Sequence, residues 1–540
     1  MLNREPRRNI DSVDKFEVKQ SSTQITNMRT AARIGRFQVD APERDASEVL
    51  SLDLSAKNSF APINRIPTEV LSLIPDHLDE DKGDADRDLI TLTHVSRGWR
   101  STFVSRSSLW TWLDCMDVEK TCTYIQRSGF FPLEIFLEKD KDGGYLDDAF
   151  GLVIPHIHRI KSLTIHTDVL PAAIRYFSCR VPRLEKLDIR LTCTPAPIFD
   201  DTLFGPDLSS LRELSLSGVV ARLPWKNLAN ITSFDLKARR PGRNIVSRLL
   251  DFFENAPLLH TIKLRDTIPK SSGAPSGRVV SLPRLSLLSI HANPVHSLLL
   301  DHLCIPTGAL VNLRFEFGSD KSPFRDYLPE TIGNLRNLSH ITTINLRFGE
   351  VGKFVRMEGP SGGLRIRGHW RSRIIPAYDM DHRILLSFDP SVLLTTKRLA
   401  VWGYEHTRPP EVENCPIPQT LFSMNNLRTL VLAECCNFPF ILALSPKKNA
   451  SKLVLCPGLE ELVLYVEERY PLYIKSLTFM AKARASRDAK LSLITIVSPD
   501  ELAPGKEGFE LREYVERVEY RVDNPPPSWD TIPDDDNKSE

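Results

Sequence analysis

Apolar residues recur along most of this chain in the order apolar-x-x-apolar-x-apolar. The run appears as Ile160/Leu163/Ile165, Leu184/Leu187/Ile189, Leu211/Leu214/Leu216 and Ile231/Phe234/Leu236. It continues as Leu259/Ile262/Leu264, Leu285/Leu288/Ile290, Leu310/Leu313/Phe315 and Ile341/Ile344/Leu346. The later copies are Leu399/Trp402/Tyr404, Leu427/Leu430/Leu432, Leu459/Leu462/Leu464 and Leu491/Ile494/Ile496. The last two apolar positions of each copy are two apart, so on an extended strand they face one side. The first stands at the turn that enters the strand. Between copies lie helix-compatible stretches such as residues 246–253, where Leu249, Leu250 and Phe253 recur at helical spacing. Pro182, Pro257, Pro283 and Pro457 each stand two residues before the first apolar position, where they end the return segment without removing a ladder hydrogen bond.

Each copy is therefore one short strand plus one return segment, and neither can bury its apolar face alone. Steps between copies run mostly from 20 to 32 residues, close to the roughly 20–29 of a leucine-rich repeat. One step of 58, from Ile341 to Leu399, is about two units and predicts a worn copy within 361–388. An ordinary α/β domain could carry one such run. A dozen in order predict an α/β solenoid over 156–500, with a curved parallel sheet and a continuous core.

Residues 61–113 follow a different period. Pro67 suits a first helical position, and Glu69 suits the positive end of the helix dipole. Val70, Leu71, Ile74 and Leu78 form a stripe at steps of three and four. An acidic polar run, Asp79 to Asp88, reads as a loop. A second stripe of Leu89, Leu92 and Val95 follows, then Trp99, Phe103 and Val104, then Leu109 and Trp110. Pro75 would clash with the carbonyl of Leu71 in a regular helix, so the first helix is expected to be short or kinked. Three short helices cannot build a large core and need a neighbour or a partner.

The residues of this segment resemble the F-box family. Ala61-Pro62-Ile63-Asn64-Arg65-Ile66-Pro67-Thr68-Glu69-Val70-Leu71 looks like the family's P-I-x-x-L-P-x-E-[IL]-L opening. Leu92 to Arg100 resembles L-x-x-V-C-[RK]-x-W-[RK], with Ser96 where Cys is common, and Ser107-Ser108-Leu109-Trp110 resembles the P-x-L-W close. Tyr124 to Gly129 with Pro132 to Leu137 is similar to the Y-[IL]-x-R-S-G-x-x-P-L-x-[IL]-x-L stretch common in fungal F-box proteins that carry leucine-rich-type repeats. The resemblance implies a substrate-recognition subunit that docks on a Skp-type adaptor and, through it, a cullin-RING ubiquitin ligase, while the repeats hold an unknown protein target. It implies adaptor contacts at Ile66, Pro67, Val70, Leu71, Ile74, Val95 and Trp99. Packing is expected instead for Leu92, Phe103 and Trp110. No catalytic residue and no cofactor are implied. A non-enzymatic scaffold, whose F-box no longer binds the adaptor because of Pro75, is the competing reading.

Composition narrows the partners. Lys and Arg number 70 against 69 Asp and Glu, so no global field favours nucleic acid or a membrane surface. The amino terminus lacks the apolar stretch of a secretory signal, and no run approaches the ~18 apolar residues of a spanning helix. An intracellular protein, cytoplasmic or nuclear, is expected. The nine cysteines form no C-x-x-C pair and read as small core hydrophobes, with Cys415, Cys435, Cys436 and Cys456 echoing the repeat period. Residues 1–60 are polar and expected to be disordered or weakly helical near Ser47–Leu52. Residues 114–155 are expected to link, and 501–540 to form a cap and acidic tail.

Candidate chemistry is sparse. His156-Ile157-His158 would place two imidazoles on one face of a strand, though without ligand partners at metal spacing. Glu358 to Gly363 is Gly-rich but lacks the GK[ST] of a phosphate loop, and reads as a loop of the worn repeat. The basic cluster Arg365, Arg367, His369, Arg371 and Arg373 alternates with Leu364, Ile366, Gly368, Trp370 and Ser372. As a strand it would present its charges on one face, either to an acidic or phosphorylated peptide or to solvent along a sheet edge.

Overall fold

A computed structural model describes residues 62–77, 82–138, 151–168, 180–192, 198–199, 204, 208–221, 228–238, 244–267, 277–291, 297–317, 332–349, 352–370, 390–403, 417–433, 437–445, 454–466, 470–499 and 506–523. The expectations for residues 1–60 and for the tail from Asn524 lie outside them. The chain divides between Leu109 and Trp110 into two compact units.

The described part of the first unit is helical. A 3-10 turn, Pro62–Arg65, leads to the four-residue helix α1 (Thr68–Leu71), with Pro67 immediately before it and Glu69 in its first turn. Pro75 lies in a separate 3-10 turn, Ile74–His77, because it has no N–H to continue the helix. The later part of the acidic run is not a loop, since Asp84, Asp86 and Asp88 belong to α2 (Lys82–Thr93), while residues 79–81 lie outside the described residues. Ser96 caps α3 (Arg97–Ser105) by accepting the Trp99 N–H at 3.3 Å. Leu71, Leu89, Trp99 and Phe103 form the buried core, with Trp99 edge-on to Phe103 at 5.7 Å.

The second unit is mixed α/β, built on one large, mostly parallel sheet. It opens with β1 (Trp112–Leu113), helix α4 (Val118–Arg127), β2 (Leu133–Glu138), β3 (Ile160–Thr167), β4 (Lys186–Leu191) and β5 (Ile198–Phe199). Then come β6 (Glu213–Ala221), β7 (Ser233–Ala238), α5 (Ile245–Glu254), β8 (Thr261–Arg265), β9 (Val280–Ser281), β10 (Leu287–His291) and β11 (Leu303–Cys304). Next are β12 (Leu310–Phe317), β13 (Thr343–Gly349), β14 (Gly352–Glu358), β15 (Gly363–Trp370) and β16 (Arg398–Trp402). The chain continues through α6 (Ile417–Phe422), β17 (Thr429–Ala433), α7 (Asn437–Leu444) and β18 (Glu461–Tyr465). It ends with α8 (Tyr470–Ala485), β19 (Leu493–Ser498), α9 (Lys506–Tyr514) and β20 (Arg517–Val522).

Eighteen of these strands share the sheet, while β9 and β11 pair apart from it. Neighbours follow chain order from β1 to β12, with the short β5 attached only to the end of β6. After β12 the order becomes β15, β14, β13, and then β16 to β20 in sequence. Strand β14 alone runs antiparallel among the described strands. The two end strands β1 and β20 do not meet, so the sheet is open rather than a closed barrel. No described helix is long and apolar enough to cross a membrane.

The recurring apolar pairs explain the register. Leu163 lies opposite Leu187, Leu187 opposite Leu214, Leu214 opposite Phe234, Phe234 opposite Ile262, and Ile262 opposite Leu288. These residues line the buried face, most with no exposure at all. At the entry to each strand a tight turn recurs: the N–H of Leu184, Ile231, Leu259, Leu285, Leu427 and Leu459 reaches the carbonyl three residues back at 3.0–3.3 Å. Pro182, Pro257, Pro283 and Pro457 occupy the second position of these turns, where a fixed φ is favoured. The helical return between β7 and β8 is α5, which buries Val246, Leu249, Leu250 and Phe253.

Two copies differ from their expected register. Leu288 and Ile290 face Val311 and Leu313, so Phe315 adds a further buried position and Leu310 does not start the copy. Ile344 and Leu346 face Leu399 and Val401, so the ninth copy is Thr396/Leu399/Val401 rather than Leu399/Trp402/Tyr404. Thr396 tolerates full burial because its hydroxyl donates to the Val392 carbonyl at 3.1 Å. Trp402 consequently lies on the opposite face, and Tyr404 falls outside the described residues.

The worn copy predicted within 361–388 is β15, whose Leu364 and Ile366 pair with Val311 and Leu313. The sheet also begins before residue 156. Leu133, Ile135 and Leu137 of β2 are buried in the segment expected only to link.

Candidate functional site

Among the residues expected to meet an adaptor, Val70 and Val95 are 53% and 47% exposed, Pro67 is exposed, and Ile66 and Ile74 are half-buried. Ile63 and Leu73, at 50% and 53%, add exposed aliphatic surface in the same unit. Leu71 and Trp99 are each only 5% exposed, Trp99 lying edge-on to Phe103. The Trp99 indole N–H is nevertheless buried without an acceptor.

Phe103 and Trp110 are fully buried, and Leu92 is half-buried. Trp110 belongs to the second unit, where it stands edge-on to Tyr124 at 4.9 Å beneath the Arg127 guanidinium at 4.4 Å. Arg159 donates to Ser128 Oγ at 2.7 Å and to the Phe131 carbonyl, and Gly129 takes φ +57°. The Tyr124 to Gly129 stretch therefore closes the start of the sheet by packing.

The outward face of the sheet carries the charge. One row of register partners reads His166, Arg190, Ser217, Lys237, Arg265, His291, Arg314, Arg367, Phe354, Arg347, Trp402, Ala433, Tyr465 across β3 to β18. Near its start the cations are matched: Arg190 lies 3.2 Å from Asp188, and Arg265 lies 2.7 Å from Asp235. Asp188 is held below its usual range, since His166 and Arg190 outweigh the opposing effect of burial.

Arginines gather on β12, β15, β14 and β13. Outward positions with described side chains there include Arg314, Arg365, Arg367, Arg356 and Arg347, against one acid, Glu358. Arg365 stands directly opposite Arg356, and Arg314 opposite Arg367, pairings that are unfavourable between like charges. Glu358 lies 2.5 Å from Arg356 and 3.9 Å from Arg365, while Arg367 stacks over Phe354 at 5.7 Å. The Nε of Arg365 is buried without an acceptor. Such a concentration of forked donors is chemically suited to carboxylate or phosphate.

Arg365 and Arg367 thus share one face as the alternation required. Strand β15 is interior, however, paired on both sides, so a solvated sheet edge does not account for its charges. Arg371 and Arg373 lie outside the described residues. Arg314, Arg347 and Arg356 were missed because only cross-strand register brings them to the cluster.

The remaining candidates resolve as structure. His156 and His158 lie in the 3-10 helix Ile154–Arg159 rather than a strand, so they do not share a face. Among the described residues, no group of three His, Cys, Asp or Glu side chains is assembled for a metal. Gly359 to Gly362 makes the tight turn between antiparallel β14 and β15, where an added Cβ at Gly362 would meet the Thr307 carbonyl at 2.4 Å. Gly359-Pro360-Ser361-Gly362-Gly363 also spells G-x-S-x-G, but it joins two strands rather than a strand to a helix, which is not the geometry of a nucleophile elbow. Cys115 and Cys456 are buried thiols, each pushed up to about 12 by burial. Cys415, Cys435 and Cys436 lie outside the described residues. In comparison with known proteins, the chain matches no family model and no curated protein.

Proposed function

We propose that this chain is the substrate-recognition subunit of a Skp-cullin-F-box type ubiquitin ligase. The first unit acts as an F-box-like helical segment that docks on a Skp-type adaptor. The second acts as a leucine-rich-type repeat solenoid whose outward sheet face holds a protein target. The observation that carries the adaptor half is the aliphatic set Ile63, Val70, Leu73 and Val95, left about half exposed in a small helical unit. Apolar anchors of this kind dominate interface energies once a partner covers them. The in-register apolar ladder supports the repeat reading. The chain contributes proximity between target and transfer machinery and performs no chemistry itself.

Co-expression of the full chain with a Skp-type adaptor tests this. The wild type is expected to co-purify, and Val70→Asp with Val95→Asp is expected to weaken the complex by about tenfold or more, as for central anchors. Both positions are exposed, so the substitutions leave the core intact. Failure of the wild-type chain to bind would sink the ligase reading. It would favour the scaffold alternative, for which the truncation of α1 before Pro75 is the supporting observation.

A further inference from the structure

Among the described residues, strand β20 ends the large sheet and pairs only with β19. The N–H of Arg517 reaches the Ser492 carbonyl at 3.0 Å, and that of Asp523 reaches the Ser498 carbonyl at 3.1 Å. Backbone groups alternate in direction along a strand, so Val518, Tyr520 and Val522 aim theirs away from β19. At Val518 and Val522 no described backbone group takes them up. Val522 is 63% exposed and Val518 half-buried, although their β19 neighbours Ser498 and Ile494 are buried. The apolar row is therefore left incompletely covered at this edge.

The opposite face of β20 carries Arg517, Glu519 and Arg521, and Asp523 continues the series. Within one chain both arginines lean on Glu519, at 2.9 and 2.6 Å. Charges that only guarded the edge would share one sign, because two copies would then repel. A row of alternating sign can instead be complementary to itself when reversed.

We infer that β20 pairs with β20 of a second copy of this chain, antiparallel, about a two-fold axis through Tyr520. In that register Glu519 faces Arg521 of the second copy and Arg517 faces Asp523, each in both directions. Each arginine thereby gains an acid of its own. Val518 meets Val522, which joins the two uncovered apolar rows. Centring on Glu519 would set Arg517 against Arg521 and Glu519 against itself. Centring on Arg521 would set Glu519 against Asp523. Charge thus selects one register. The charged pairs fall at the non-hydrogen-bonded positions, where side chains approach most closely, and the new backbone bonds fall at Val518, Tyr520 and Val522. Head-to-tail growth from β20 onto β1 is the less fitting arrangement, because β1 offers only 2 residues. The inference goes beyond the ligase reading and does not depend on it.

One strand pair buries less than the ~1,600 Å² of a standard interface, so the dimer is expected to dissociate with a constant on the order of 10 µM. Sedimentation velocity of the full chain from about 1 to 100 µM provides the test. The wild type should pass from monomer to dimer and no further, since a two-fold contact closes on itself. Arg521→Glu alone and Glu519→Arg alone each oppose like charges at two places, and each should weaken the dimer about tenfold or more. Mixed in equal amounts, these two variants should associate again, because each then meets the opposite sign at both positions. Val522→Pro removes an N–H aimed away from β19 and no bond to β19. It should therefore weaken the dimer about tenfold or more while moving the melting temperature by only about 3 °C or less.

Thermal melts of every variant verify folding. A wild-type chain that stays monomeric, or assembly that grows past the dimer, would overturn the inference. So would a dimer indifferent to the single charge changes or to Val522→Pro, or charge variants that remain apart when mixed. Dimerisation without adaptor binding leaves the inference standing and defeats the ligase reading alone, whereas adaptor binding by a chain that never dimerises does the reverse.

Discussion

Replacing Arg484 by alanine is expected to lower the unfolding free energy by about 3 kcal/mol, the sum of a cavity and two orphaned acceptors. Arg484 sits on α8 with no exposure, donating from Nη1 to the Leu455 carbonyl at 2.8 Å and from Nη2 to the Cys456 carbonyl at 2.9 Å. Its Nε has no acceptor, and burial lowers its pKa from the ordinary arginine value. Removing the charge relieves part of its desolvation, which is why the net loss stays below that of a broken buried ion pair.

Arg484→Met keeps more of the volume but leaves both carbonyls bare, and should cost about 1–2 kcal/mol. Urea unfolding gives both values. A second readout is local. The Cys456 thiol, pushed up to about 12 by burial and seated at φ +46°, should resist alkylation in the native chain and become reactive in Arg484→Ala. An unchanged midpoint together with an inert thiol would contradict the assignment.

Gly218→Ala is expected to cost about 3 kcal/mol or more, for reasons of space as well as conformation. Gly218 adopts φ +74° at an irregularity of β6, where the pairing with β7 slips between Ser217 and Val219. A Cβ there would lie 1.7 Å from the Leu191 carbonyl oxygen on β4, and a backbone atom held in a ladder cannot step aside. Gly277 supplies the control. Its φ is +78°, yet nothing lies within 4 Å of a built Cβ, so Gly277→Ala should cost only about 1–2 kcal/mol of backbone strain. Equal losses at the two sites would show that the close approach to Leu191 is not what matters.

The strands were readable because burial on one face imposes a period of two, and the turn prolines mark each entry. The same pattern also misled. Leu399/Trp402/Tyr404 and Thr396/Leu399/Val401 both fit the spacing, and the second prevails because Thr396 satisfies its hydroxyl locally. Strand β14 carried no repeat signature because it is an antiparallel insertion between β13 and β15. In the helical unit, spacing identified an apolar stripe but could not tell its two sides apart. Leu71 and Val70 are adjacent in sequence, yet one is core and the other surface. The arginine cluster was half legible for a related reason: Arg365 and Arg367 share a strand, whereas Arg356, Arg347 and Arg314 join them from sequence-distant strands.

The splice at β13–β14–β15 also sets a timetable during synthesis. Most strands wait only for the next copy before their open edge is covered. Strand β12 ends at Phe317, but its partner β15 does not begin until Gly363, after β13 and β14 have been made. At translation rates of about 5–20 residues per second, that edge stays uncovered on the ribosome for several seconds. Meanwhile β13 is parallel to the strands before it and could pair with β12 in the wrong place. The arginine at position 314, on the waiting strand, is then a guard, because a charged edge discourages premature pairing.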